Sequence, residues 1–281
     1  MSKILKSKTG ATGMLVVIVV TFCALFAPGL APYEPGKISP SEMMSPPVIW
    51  QSGESPVHLL GTDNLGRDIF SRIIYGSQIS ILVGICSMLL SGVIGITLGL
   101  LSGYYGGIVD SVIMRLADSF HSIPRILLAM VILTVSGPGV LTLIFVIGVT
   151  SWVTYARLIR SETLSIKQKE FVKAARTIGT SNICIIFKHI LPNVMPSCIV
   201  VSTLSVANSI IVEATLSFLG LGIPPSIVSW GGMLSDGRTY LATNWWIATF
   251  PGLAITITVL GIMFLGNWVR DLLDPHNQLV I

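Results

Sequence analysis

Six runs of mostly apolar residues recur along this 281-residue chain, at about 12–31, 79–102, 113–135, 139–158, 194–219 and 247–268. Each meets the roughly 17 to 25 residues an α-helix needs to cross a bilayer. Hydrocarbon offers no water to backbone N–H and C=O groups, so such runs must satisfy them internally, as helices do. Only 11% of the residues are charged, against about 25% in soluble domains. The expected fold is an all-α membrane protein with six transmembrane helices. The third run is the least clean, because Arg115, Asp118, His121 and Arg125 occupy its first turns. Ser136 to Gly139 (SGPG) makes a tight turn between the third and fourth runs.

An even number of spans puts both termini on one side, and the charges choose the side. With the N-terminus inside, 13 of the 17 Lys and Arg residues fall in cytoplasmic segments: Lys3, Lys6, Lys8, Arg115, Arg125, Arg270 and seven between Arg157 and Lys188. Lys37, Arg67, Arg72 and Arg238 remain outside. The positive-inside rule therefore predicts N-in and C-in. A net charge of +4 spread over loops reports orientation, and no basic stripe interleaved with aromatics marks a nucleic-acid surface. The start resembles a signal peptide, but the run Met14 to Leu30 is long for one and no A-x-A site follows it cleanly. It reads as a retained first span.

The outside segment 32–78 is rich in Pro and Gly at first. Its second part places Leu65, Ile69, Ile73 and Ile74 at helical spacing, with Asp63 or Asn64 as cap. Asp68 and Arg72, four apart, are placed to pair with each other, as are Arg115 and Asp118. Asp110 resembles an N-terminal cap. The simplest partition is 1–75, a first span plus loop, and 76–281, a membrane core.

Cys23, Cys86, Cys184 and Cys198 show no CxxC spacing. His58, His121, His189 and His276 are scattered, so no metal site is expected. The chain also lacks the G-x-x-x-x-G-K-[ST] loop that cradles ATP.

The long polar, basic stretch at 157–193 lies between two apolar runs and forms a hairpin over 160–193. Phe171, Ala174, Ala175 and Ile178 make a small-plus-apolar stripe at helical spacing. Lys167, Lys169, Lys173 and Arg176 fill much of the rest. Gly179 ends this helix, and a second short helix, 181–190, stops at Pro192. The stripe either meets a partner surface or packs on the chain's own membrane helices.

The run from Glu170 through Ala174, Ala175 and Gly179, followed by Ile190, Leu191 and Pro192, resembles the EAA loop of ABC-importer permeases. Lys173 stands where that pattern has Glu, and His189 where it has Ile. LLGTDNLGRDIFSR (59–72), SGYYGGIVDSVIMRLAD (102–118), LSFLGLG (216–222), SWGGMLSDGR (229–238) and RDLLDPH (270–276) resemble the C-type subunit of dipeptide, oligopeptide and nickel permeases.

The resemblance implies a type I importer fold in a bacterial cytoplasmic membrane, surrounded by lipid. It implies a paralogous permease as heterodimer partner, two ABC ATPases and an extracytoplasmic binding protein. ATP and Mg would be held by the ATPases, leaving no cofactor in this chain and no catalytic residue. Glu170, Phe171, Ala174, Ala175, Ile178, Gly179, Leu191 and Pro192 would form the ATPase-coupling element. The expected cargo is a di- or oligopeptide; the alternative is nickel or a metal–chelator complex.

Glu213 and Asn208, in the fifth run, are the candidates for the pathway. An ionisable residue in a span faces protein or water rather than lipid. Glu213 is either a pathway or gate residue, or a hydrogen-bond partner of Asn208 or a serine near the outer interface. The charged loop 59–72 is either a self-paired cap over the pathway or a contact for the binding protein.

Overall fold

The computed structural model describes residues 8–50 and 58–273. Lys3, Lys6 and His276 lie outside them, as does the end of the 270–276 motif. The described chain is helical, with one isolated antiparallel bridge, Thr62 to Asp68. The long elements are α1 (Lys8–Leu25), α2 (Ile69–Tyr105), α3 (Gly107–Ser122), α4 (Arg125–Ser136), α5 (Val140–Ile166), α6 (Glu170–Thr177), α7 (Asn182–Phe218), α8 (Trp230–Gly237) and α9 (Trp246–Leu273). Five of them are long and apolar enough to cross a membrane, and the bent α3–α4 pair, counted as one broken span, makes up to six.

That bend corrects the expected single span over 113–135. Ile123 is extended, with ψ 129°, because proline drives the residue before it out of the helical region, and Pro124 follows at ψ 121°. The two halves meet at 86°.

α2 and α5 form the densest pair, and small residues on α2 make their approach close. A Cβ on Gly95 would lie 2.4 Å from the Tyr155 Cβ, and one on Gly99 2.7 Å from the Ala156 carbonyl oxygen. Gly103 is as tightly placed against Thr163. Lipid is as apolar as a leucine side chain, so tight backbone contact rather than hydrophobic burial drives such packing. α1 lies on α9 by the same device: a Cβ on Gly13 would come 2.7 Å from the Gly261 carbonyl oxygen.

The expected loop helix and the second run are one helix, α2, which starts at Ile69, later than a cap at Asp63 or Asn64 would set it; its cap is Asp68. The Asp68 carboxylate accepts the Ser71 N–H at 2.7 Å. A boundary at 75/76 falls inside this helix. Asp63 instead turns the preceding loop, accepting the backbone N–H groups of Leu65 and Arg67.

The expected second short helix ending at Pro192 is also corrected. The chain runs helical from Asn182 to Phe218 without a stop. Ile185–Ile190 is a π-helical stretch, in which the Leu191 N–H bonds the Ile186 carbonyl. An α-register would set the proline ring against the carbonyl four residues back. The wider π turn relieves that clash, so Pro192 sits in the opening turn of a continuing helix.

Candidate coupling hairpin and intramembrane polar groups

The hairpin after α5 is built by two faces of α6 with different fates. Val172 and Ala175 are 4% and 6% exposed and face inward, where Ile166, Ile185, Ile190 and Tyr104 close around them. Phe171 and Ile178 are 42% and 82% exposed, and Ala174 is exposed between them. The stripe at 171, 174, 175 and 178 is therefore split, with Ala175 on the buried side. Its buried companion is Val172, which the spacing argument passed over. Glu170 opens the helix and is exposed, Leu191 is half-buried, and Pro192 is exposed.

Gly179 closes α6 at φ +81°, a conformation that a Cβ disfavours. The Thr180 N–H then reaches the Ala175 carbonyl at 3.1 Å, the 6→1 bond of a Schellman end. The Ser181 hydroxyl accepts the Cys184 N–H and starts α7.

The hairpin is tied to the end of α2 through Tyr104. Its hydroxyl bonds the Asn182 Oδ1 at 2.7 Å, Lys167 Nζ donates to its carbonyl, and the Arg176 guanidinium stands 5.7 Å from its ring centroid. Nearby, Arg160 grips the Asp110 carboxylate with two nitrogens, joining α5 to α3. Asp110 lies in the first turn of α3, behind Gly106 at the cap position, and also accepts from Ser102. Asp118 pairs with Arg157 at 2.7 Å, correcting the expected Arg115 partnership.

In the loop before α2, Asp63 accepts from Arg67 Nε at 2.6 Å and from Arg72 Nη1 at 2.7 Å. Asp236 of α8 lies 3.1 Å from Arg67 and 3.5 Å from Arg72. Asp68 is not the partner of Arg72; it shares a 2.9 Å hydrogen bond with His58. The charges thus form a cluster of two arginines and two aspartates locking the loop to α8. Asp236 is 164 residues from Arg72, so local spacing had no means of showing it.

Glu213 is 0% exposed. The Ser217 hydroxyl donates to it at 2.8 Å and that of Ser80 at 3.4 Å. Its partners are serines, one of the expected arrangements. Asn208 is on an exposed face and bonds not Glu213 but Arg125, whose Nη2 donates to Oδ1 at 3.1 Å. Arg125 entered the sequence reading as an inside charge and as one of the residues interrupting the third run. The available signal was an arginine directly after a proline within an apolar run.

Residues 95–278 match the family described as binding-protein-dependent transport system inner membrane component. Residues 1–47 match the N-terminal TM domain of oligopeptide transport permease C. The chain is 39% identical to the di/tripeptide transport system permease protein DppC of Pseudomonas aeruginosa, over 96% of this chain and 88% of that protein. It is 40% identical to the glutathione transport system permease protein GsiD of Pectobacterium atrosepticum (94% and 86% covered). It is 37% identical to the oligopeptide transport system permease protein OppC of Bacillus subtilis (96% and 86% covered). A solved structure of the MetNI methionine ABC transporter, in an inward facing conformation, contains a chain that superposes with TM-score 0.59 at 19% identity, covering 72% of this chain and 96% of that one.

The proteins this chain resembles are permease subunits of transport systems, which makes it a transport subunit rather than an enzyme. This chain belongs to the inner membrane components of binding-protein-dependent transport systems, and is a multi-pass permease of the ABC-importer class.

Proposed function

We propose that this permease forms half of an import pathway for di- or oligopeptides, with α6 seated in a cytoplasmic ATPase. The observation that carries the coupling role is the division of α6. Val172 and Ala175 hold it to the chain's own spans, while Phe171, Ala174 and Ile178 are exposed, Phe171 with the His189 ring centroid 6.4 Å from its own. An exposed apolar face on a short, buttressed helix suits a groove on a partner. Peptide cargo is supported by the relatives named for dipeptide and oligopeptide transport; none of those described above is named for nickel.

The remaining assignments are a second, paralogous permease, two ATPases that carry ATP and Mg, and a binding protein delivering substrate. With the N- and C-termini cytoplasmic, as the Lys and Arg distribution favours, the hairpin lies on the ATPase side. Glu213 serves here as a buried hydrogen-bonded anchor of α7, and Asn208 faces the pathway.

The test is uptake in a strain lacking only this chain, comparing labelled dipeptide with labelled nickel, with and without ATP depletion. Loss of ATP-dependent peptide uptake alone is expected. Loss of nickel uptake alone would reassign the cargo and leave the fold standing.

A further inference from the structure

Arg125 opens α4 at the break of the bent α3–α4 pair, and among the described residues no carboxylate lies within 4 Å of it, the range that defines the ion pairs. The carboxylates of the surrounding elements are committed elsewhere. Asp118 on α3 is held by Arg157, Asp110 by Arg160 and Ser102, Glu162 on α5 by Ser197, and Glu213 on α7 by Ser217 and Ser80. What holds the guanidinium is neutral. Nη2 donates to Asn208 Oδ1 at 3.1 Å, and Nη1 lies 3.5 Å from the Ser151 hydroxyl. Three elements, α4, α5 and α7, therefore converge to orient one side chain at the 86° break of the third span.

A guanidinium carries five N–H donors in a rigid fork, so two contacts with neutral oxygens leave donors free. An ionisable group in an apolar run is costly in lipid and is retained where it faces protein or a water-filled cavity. Arg125 is half-buried and Asn208 beside it is exposed, so the free edge of the fork opens outward from this chain. Planar, bidentate donors select a carboxylate over other polar groups.

We propose that Arg125, oriented by Asn208 and Ser151, is a binding station for the free carboxylate of the transported peptide. This rests on the peptide reading above. Arg125 is the binding residue; Asn208 and Ser151 are positioning residues.

The experiment measures uptake of one labelled dipeptide as free acid and as C-terminal amide, in cells carrying the whole transporter with wild type, Arg125→Gln, Arg125→Lys or Asn208→Leu. The binding protein is the same throughout, so any change in the acid-to-amide ratio belongs to the permease. For Arg125→Gln, KM for the acid is expected to rise about tenfold or more, the worth of one charge-assisted pair, with amide uptake unchanged. Asn208→Leu is expected to shift the ratio in the same direction by less, and Arg125→Lys to restore part of it.

An unchanged ratio in Arg125→Gln at normal membrane abundance would overturn the station. Equal loss of acid and amide uptake, with the permease pair dissociating on a native gel, would overturn it in favour of an ion pair with the partner subunit. If the wild type imports neither compound, the peptide reading itself fails, and the station falls with it.

Discussion

The two adjacent alanines of α6 separate the fold of the hairpin from its partner surface. Ala175 is 6% exposed, inside the cluster of Tyr104, Ile166, Ile185 and Ile190. An aspartate there buries an unmatched polar group, at a cost of roughly 2–7 kcal/mol, enough to unseat a two-turn helix. Ala174 is exposed. An aspartate there adds only the difference in helix propensity, under about 0.7 kcal/mol, so the fold of this chain should hold. If α6 docks in an ATPase, however, Ala174→Asp pushes a charge into an apolar contact, where losses of about 2 kcal/mol or more are usual for central residues. The assay combines membrane abundance, trypsin cleavage at Lys173 and Arg176 in solubilised transporter, co-purification of the ATPases and ATP-dependent uptake. Ala174→Asp should show normal abundance and cleavage, with loss of ATPase co-purification and uptake. Ala175→Asp should show rapid cleavage. Ala174→Asp with full uptake and bound ATPases would refute the docking argument, whatever Ala175→Asp does.

Three further expectations follow from contacts elsewhere. Gly99→Val should lower the thermal midpoint of the purified chain, since overpacking costs about 1–3 kcal/mol and a Cβ there meets the Ala156 carbonyl oxygen at 2.7 Å; Gly92→Ala, whose nearest neighbour is Tyr155 at 3.7 Å, should be tolerated in the same assay. Asp63→Leu strands Arg67 and Arg72 with only Asp236, a loss of roughly 3–5 kcal/mol for a broken buried pair, and should cut membrane abundance more than Asp236→Leu does. Glu213→Gln keeps an acceptor for the Ser217 hydroxyl and should transport at near wild-type rate, whereas Glu213→Leu should not; a transport defect in Glu213→Gln at normal abundance would show that the charge itself is used.

The spans and the hairpin were legible because their signals are local: apolar length, and breakers at Gly179 and the 136–139 turn. What misled was also local. Proline at 192 reads as a stop, yet a π-helical stretch absorbs it, and nothing in residue type distinguishes those outcomes. Proline at 124 sat inside a run read as continuous and proved to be the break. The charge pairs were misassigned wherever an i, i+3 or i, i+4 neighbour competed with a partner distant in sequence. Arg157 took Asp118 from Arg115, and Asp63 with Asp236 took Arg72 from Asp68. The α6 stripe, left open between a partner and the chain's own helices, divides: Ala175 is buried with Val172, while Phe171, Ala174 and Ile178 are exposed. Helical spacing gives a face, but only the cluster around Tyr104 decides which edge of that face is buried.

The absence of a joint after the hairpin has a mechanical consequence. From Asn182 the backbone stays helical to Phe218, about 55 Å at 1.5 Å per residue. At the near end Tyr104 of α2 holds Asn182; at the far end Ser80 of α2 bonds Glu213 at 3.4 Å. A displacement of α6 therefore reaches the far side of α7 as motion of one rod, with the π-helical stretch at Ile185–Ile190 and the interior Pro196 as its irregular points. Replacing Asn193 and Met195, both exposed, with glycine should soften the rod just beyond that stretch at about 1 kcal/mol each, without removing a buried side chain. The hairpin should remain protected from trypsin and the ATPases should remain bound, while peptide imported per ATP hydrolysed falls. A double variant that hydrolyses ATP and imports peptide in the wild-type ratio would show that α7 does not carry the stroke.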